Sequence, residues 1–485
     1  ETEDRYGMIR TYYVHDQGRD NLGPFRTSIP DTENRGRYTI RHREILPRGW
    51  ELTLEASYIS DPNFLEEYFN SEFEQGKEQE TLIYLKKQQD NWAFTALAQW
   101  RVLDFLTQTE HLPDLGFQWI GEPLADIANF YTDSRVGWVR YRPDNRRVYD
   151  YEYRSDIVFR ADTRNEIDVP IKLGDLNVVP FAMIRPSYWD DSPGQSSLGR
   201  LFGTAGARVG TQLWRVFEDA RSRILDINGI RHIIRPQATG WASASNKDSI
   251  DLYPFDYGVE SINDFYGSSF ALRQVWQTKR GGPGQWRNVD WITFDVEVNL
   301  FGNTPHSPYA IGELYQLPIG RFYDYRPENS IPRNHIRTDF MYRISDTTAI
   351  LSDTNFDLND GSMDLLNISY AVERSPRFSY FIGYRRIGDT ESNLLGCGVN
   401  YKINEKYSTA IRTYYDLDRG ETEQFDIAII RRWPRWYTAL TFGLDNVEND
   451  IQLGFSIWPE GAPNAVIGSR QFTGLSESTG IRPEQ

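Results

Sequence analysis

Histidine is the side chain most often used as a metal ligand or acid–base catalyst near neutral pH, and the chain has six: His15, His42, His111, His232, His306 and His335. They lie apart, with no HExxH or other paired-ligand spacing. No phosphate-cradling glycine loop, dinucleotide fingerprint or G-x-S-x-G nucleophile turn is present. "DTNFDLNDG", residues 353–361, alternates Asp and Asn oxygens as a calcium loop does, but its sixth position is Leu358 instead of glycine. It reads as a hairpin closed by Asp360 and Gly361. Asp190 and Asp191 are adjacent carboxylates, yet adjacency sets no catalytic geometry, and they read as solvated loop residues. The lone Cys397 excludes an internal disulfide and a Cys-rich metal site. The expectation is therefore no enzyme, no catalytic residues, no metal and no cofactor.

What the chain repeats instead is a period of two. In "WELTLEASYI", Trp50, Leu52, Leu54, Ala56 and Tyr58 share one face, and Glu51, Thr53, Glu55 and Ser57 the other. "WITFDVEVNLF" sets Ile292, Phe294, Val296, Val298 and Leu300 against Thr293, Asp295, Glu297 and Asn299. "WAFTALAQW" and "IQLGFSIW" alternate in the same way. Such runs mark strands with one apolar and one polar face, and long helical patterns are missing. The fold class is all-β, with about 24 strands when the chain is parsed as hairpins. Between 114 and 171 the parse gives five short segments: 114–120, 124–131, 134–142, 152–162 and 166–171.

The connections sort by parity. Every second one is short, as at "PRG" 47–49, "DN" 90–91, "SPR" 375–377 and "PR" 434–435. The others hold the long loops 16–36, 60–79, 190–203, 244–266 and 302–332. One end of short turns and one of long loops is the pattern of a transmembrane β-barrel. In hydrocarbon every backbone N–H and C=O needs a protein partner, so a spanning sheet must close on itself. A barrel this wide cannot fill its lumen with its own wall side chains. Trp92 and Trp100, on one apolar face, would stand about 20 Å apart along the barrel axis, near the spacing of two interfacial aromatic girdles.

Composition agrees. Charged residues make up 25% and hydrophobic ones 39%, and no run of 18 apolar residues exists, which rules out a membrane-spanning helix but not a barrel. The net charge of -16 argues against nucleic acid as a partner. The chain opens on "ETEDRYGMIRTYYV", already strand-like, and is expected to be a piece whose upstream segments were removed. The expected division is a barrel over 1–460 and a C-terminal tail over 461–485.

Three stretches carry a resemblance: "GRYTIRHREILPRGWELTLEASYISDPNFLEEYF", "HIIRPQATGWASASNKDSIDLYPFDYGVESINDFYG" and "NDIQLGFSIWPEG". Together they resemble the LPS-assembly outer-membrane protein family, LptD, in order and spacing across the chain. The resemblance implies a barrel of 26 strands in the cell outer membrane, which with the parse above makes the expected count about 24–26. It would receive lipopolysaccharide from a periplasmic bridge protein and insert it into the outer leaflet. A periplasmic jelly roll precedes the barrel in that family, and an LptE-like lipoprotein plugs its lumen. A shorter strand count fits loss of the first two strands with the jelly roll, and those strands include the ones whose prolines weaken the family's lipid-exit seam. The other side of that gate would be strand 449–458.

The same strand is the family's signal for the barrel-assembly machinery, carried over here onto Gln452, Gly454, Phe455 and Ile457. Pro459 stands where a final hydrophobic residue is expected. Cys397 cannot supply the cysteine pair that gates assembly in some members. It shares a face with Leu395 and Val399 and is expected to point to lipid. In "ISDPNFLEEYF", Pro62 suits a ladder that is ending. Phe64, Leu65, Tyr68 and Phe69 are expected to fold an extracellular loop over the barrel mouth. An acidic lumen would repel lipopolysaccharide phosphates unless divalent cations or arginines intervene. Two alternatives stay open at this point: a large outer-membrane solute channel and a soluble carbohydrate-binding β-protein.

Overall fold

The computed structural model describes residues 4–22, 27–69, 72–73, 77–146, 155–194, 196–260, 262, 264, 266–282, 284–302, 334–375, 377–388, 391–447, 450–460 and 467–468. The expected loop 302–332, His306 and nearly all of the expected tail 461–485 lie outside the described residues. The period-two runs become one antiparallel sheet of 25 strands. Hairpin follows hairpin, from Arg5–His15 on Asn34–Leu46 to Trp436–Asp445 on Asp450–Pro459. Among the described residues no ladder joins the first of these strands to the last. Ile467–Gly468 pairs with Ser456 and Ile457 on the far edge of the last strand.

The two faces separate as the alternation requires. In Trp50–Ile59, Glu55, Ser57 and Ile59 are buried on the inner face while Ala56 and Tyr58 are exposed on the outer. The same outer face elsewhere presents Leu201, Phe270, Leu300, Ile368, Ile429 and Leu440. Exposed apolar belts of this extent are unstable in water and stable in hydrocarbon. Cys397 is half-buried between Gly396 and Gly398, in a strand whose Leu395 and Tyr401 are exposed.

Turns follow local chemistry. At Pro47–Gly49 the backbone turns left-handed at Arg48 (φ 67°) and Gly49 (φ 75°), a conformation glycine adopts without steric cost. The hairpin after Thr348–Asp357 closes at Gly361 (φ +68°). There the Asp357 carboxylate accepts from the Asn359 and Asp360 amides at 2.6 and 3.0 Å, so it serves the turn.

The sequence parse differs from the structure where bulges intervene. Two long strands, Gln108–Leu124 and Ala128–Arg142, replace the three segments expected between 114 and 142. Register shifts between His111 and Asp114 and between Trp119 and Glu122 explain this. Each bulge changes which face the following residues point to, so a continuous strand reads as broken. The two segments expected over 152–171 are likewise Val158–Asp168 and its short continuation Ile171–Leu173. Leu198–Gly210 and Leu213–Ser222 form one long crossing against Ile227–Ser245. The second part has one paired edge among the described residues and runs beyond the neighbouring hairpin at the short-turn end. Its tip residue Ile224 is 94% exposed.

Candidate functional site

At the long-loop end two loops fold inward over the barrel wall, each held by a buried arginine. The first arginine comes from "RGRYTIRHR", which places Arg35, Arg37 and Arg41 on the inner face of Asn34–Leu46. Arg35 is fully buried and forks onto Asp61 (2.9 and 2.8 Å) and Asp20 (2.5 and 3.1 Å), with Asp16 at 3.2 Å. Arg37 grips Glu72 through two bonds of 2.7 and 2.8 Å. Such planar, charge-assisted forks are the strong form of the ion pair.

Asp61 also accepts from the Asn63 amide (3.1 Å) and the Ser60 hydroxyl (2.7 Å), just ahead of the short helix Phe64–Tyr68. The "SDP" turn is thus where a strand ends and its carboxylate meets a buried guanidinium. Phe64 and Leu65 are buried with Ile59 and Leu103, and Tyr68 and Phe69 pack beside them. Tyr12, from the first strand, meets the rings of Phe64, Tyr68 and Phe69 at 6.0, 5.7 and 5.2 Å. The Tyr68 hydroxyl donates to Asp16, which holds that carboxyl below the usual range, as the Gly18 amide also does. Arg37 does the same for the Glu72 carboxyl.

The second loop joins Ile227–Ser245 to Tyr266–Arg280. Its Leu252, Phe255 and Val259 are buried against Val139, Val158, Trp189 and Leu198 of the wall. Arg160, fully buried, donates to Asp114 (2.7 Å) on its own wall and to Asp256 (2.6 Å) and Glu260 (3.3 Å) in the loop. Glu260 accepts further from the Trp189 indole (3.0 Å) and the Asp256 amide (2.7 Å). Arg185 and Arg200 donate to the carbonyls of Gly258 (2.6 Å) and Val259 (2.5 Å). These belong to the last turn of Tyr257–Glu260, where carbonyls lack helical partners. Burial pushes the Glu260 carboxyl above the usual carboxylate range, against the pull of Arg160.

Gly137 makes the wall side of this latch possible. A Cβ there would lie 2.3 Å from the Pro113 carbonyl oxygen and 2.6 Å from the Asp114 Cα, so only glycine lets the bulged strand pack this closely. His111, Asp114 and Asp256 come within ligand distance of one another. Arg160 spans both carboxylates, so the group already has a cation partner in an ion-pair network. Elsewhere on the inner face Arg41 pairs with Glu55 (3.1 Å), Arg185 with Asp162 (2.8 Å) and Arg208 with Glu166 (3.0 Å). Arginines therefore offset much of the acidic charge on the inner wall.

The remaining residues singled out from sequence lie on Asp450–Pro459, away from both loops. Gln452 and Gly454 take the inner positions of the alternation. Ile451, Leu453 and Phe455 are 70%, 77% and 58% exposed on the outer face, with Ile457 next in that row. Trp458, which the sequence reading passed over, is buried with Ile430 and Ala439 and stacks on Tyr437 at 5.5 Å. Arg35, Arg37 and Arg160 were also passed over. The first two were legible, because arginine at alternate strand positions makes a column on one face. Asp256 and Glu260 gave no signal, since their partner lies far away in the chain.

Fold and site together define a large outer-membrane β-barrel whose surface loops are latched across its mouth. The chain matches the family model "LptD: LPS transport system D" over residues 33–289, more than half its length. It belongs to that family, and hence to the outer membrane, with its long loops extracellular and its short turns periplasmic. No curated protein matches the chain. Among solved structures it is similar to a mutant porin of Rh. blastica at 9% identity, covering 68% of this chain and 99% of that one, with a TM-score of 0.24. It is also similar to a mutant ferric enterobactin receptor, PfeA, of Pseudomonas aeruginosa at 7% identity, covering 96% and 75%, with a TM-score of 0.32. The siderophore receptor PiuA of Acinetobacter baumannii gives 8% identity, 95% and 76% coverage and a TM-score of 0.26. These overlaps are too loose to bear on function.

Proposed function

We propose that this barrel receives lipopolysaccharide on the periplasmic side and releases it into the outer leaflet, with no chemical step of its own. The observation that carries the reading is the family match over 33–289, which spans both arginine-latched loops. The inner wall supports it: its carboxylates are paired with Arg41, Arg160, Arg185 and Arg208, so an anionic glycolipid meets less net negative charge than composition suggests. On this reading a periplasmic bridge protein, a lumenal lipoprotein and the barrel-assembly machinery are its partners.

Conditional depletion in the source cell tests the proposal. Depletion should strip lipopolysaccharide from the cell surface, read with an impermeant antibody, while small-solute uptake stays normal. Unchanged surface lipopolysaccharide with slowed uptake would overturn it in favour of a solute channel.

A further inference from the structure

We propose that the lipid-facing wall carries a built seat for one acyl chain of a membrane lipid, formed across five strands from Trp92–Trp100 to Leu176–Trp189. The orientation follows from burial. In Val158–Asp168, Arg160, Asp162, Glu166 and Asp168 are buried on the inner face, which turns Ala161, Thr163 and Asn165 outward. In Ala128–Arg142, Val139 is buried inside while Val136 and Trp138 are exposed, which turns Thr132 and Ser134 outward.

At this place the outer wall is hollow. A groove of about 560 Å³ runs between Phe94, Phe117, Val136, Ala161, Pro186 and Tyr188, with Ser134 and Thr163 in its floor. That size falls within the roughly 300–1,000 Å³ of small-ligand sites. It exists because the small outward residues Ser134, Ala161 and Thr163 interrupt a bulky belt. Phe130 and Trp138 stand below and above Thr132 and Ser134 on one strand, and Ile167 and Phe159 bracket Thr163 and Asn165 on the next. The hollow therefore lies within the apolar belt, below the headgroups.

The polar atoms of the floor are spent on one another. Ser134 Oγ and Thr163 Oγ1 are 2.7 Å apart, Thr132 Oγ1 donates to Asn165 Oδ1 at 2.9 Å, and Asn165 Nδ2 donates to Thr163 Oγ1 at 3.0 Å. Unpaired, these groups would cost several kcal/mol each in hydrocarbon. Paired, they require no polar partner. The groove is continuous with the bilayer-facing surface, and the convex wall of a second barrel would ride on its rim instead of entering it. A flexible hydrocarbon chain can follow it and gains dispersion contacts on several sides where the open wall offers one.

The test uses the full chain in phosphatidylethanolamine vesicles doped with a phospholipid that carries a mid-chain diazirine. After irradiation, adducts are mapped by peptide mass spectrometry. Adducts at 115–117, 134–136 and 161–163 should exceed, several-fold, those at the equally lipid-facing Leu440 and Leu453. Ala161→Trp, which fills the groove, should abolish the excess, and Ala161→Leu serves if that variant does not fold. Thr163→Val, which keeps the shape, should retain it. Labelling spread evenly around the barrel, or an excess that survives both groove-filling variants, would overturn the proposal. The inference depends on membrane placement alone, so its failure would leave the lipopolysaccharide reading untouched.

Discussion

Arg160→Ala should unlatch the second extracellular loop. The guanidinium is fully buried and joins Asp114 on the wall to Asp256 and Glu260 in the loop. Its removal leaves three carboxylates facing one another with only the His111 imidazole between Asp114 and Asp256. Breaking a buried ion pair in this way costs about 3–5 kcal/mol. At about 1.4 kcal/mol per tenfold, the open population should rise from roughly a hundredfold to several thousandfold. The apolar anchors Leu252 and Phe255 remain, so the loop should open more often without being lost from the fold. In a Cys397→Ser background, Val259→Cys supplies a buried thiol whose labelling by an impermeant maleimide reports opening. Burial raises the Glu260 carboxyl, so the closed loop favours its protonated form. Closure in Arg160→Ala should therefore recover as pH falls toward the ordinary carboxylate range, read as labelling relative to a fully exposed reference thiol so that the falling thiolate fraction cancels, and Glu260→Gln should mimic that recovery at neutral pH. Arg43→Ala, which breaks an exposed pair with Glu51, should leave the labelling rate unchanged. If Arg160→Ala labels at the parental rate, the latch is not what holds the loop.

The first loop should respond to acid in the opposite sense. Glu72 and Asp16 are held below the usual carboxylate range, so their contribution is present above it and lost as pH falls through their depressed values. A thiol at Leu65→Cys should become accessible below about pH 4 to a pyridyl disulfide, whose protonated ring keeps it thiol-reactive in acid, and tighter protection in acid would contradict the assignment. Asp61→Ala should cost about 3 kcal/mol by leaving the buried Arg35 fork half-filled, with Asp61→Asn milder; trypsin cleavage at exposed Lys77 gives the readout, and equal resistance in parent and variant would refute it. Trypsin admitted from the periplasmic side should cut first at Arg221 or Arg223, beside the exposed Ile224 on a strand with one paired edge. An intact hairpin after the short turns have been nicked would count against its projection.

Much of this fold was legible before any coordinates. The alternation at 50–58, 92–100 and 290–300 depends only on adjacent residues, and it assigned both the strands and their inner and outer faces. The turn at Asp360 and Gly361 was legible for the same local reason. The reading failed between 114 and 142, where bulges at His111/Asp114 and Trp119/Glu122 shift the phase of the alternation. The mouth was half legible. "SDPNFLEEYF" announces an apolar loop, and "RGRYTIRHR" puts its arginines on one face, but nothing local names their carboxylate partners.

The all-β class, the parity of long loops and short turns, and the apolar belt can be read along the chain, because each is a property of neighbouring residues. Only the tertiary structure decided which carboxylates meet Arg35 and Arg160, that the loop after Ile227–Ser245 folds into the mouth, and that small outward residues on adjacent strands line up as a groove. Those outcomes depend on strand register and curvature, which bring together residues that the chain keeps far apart.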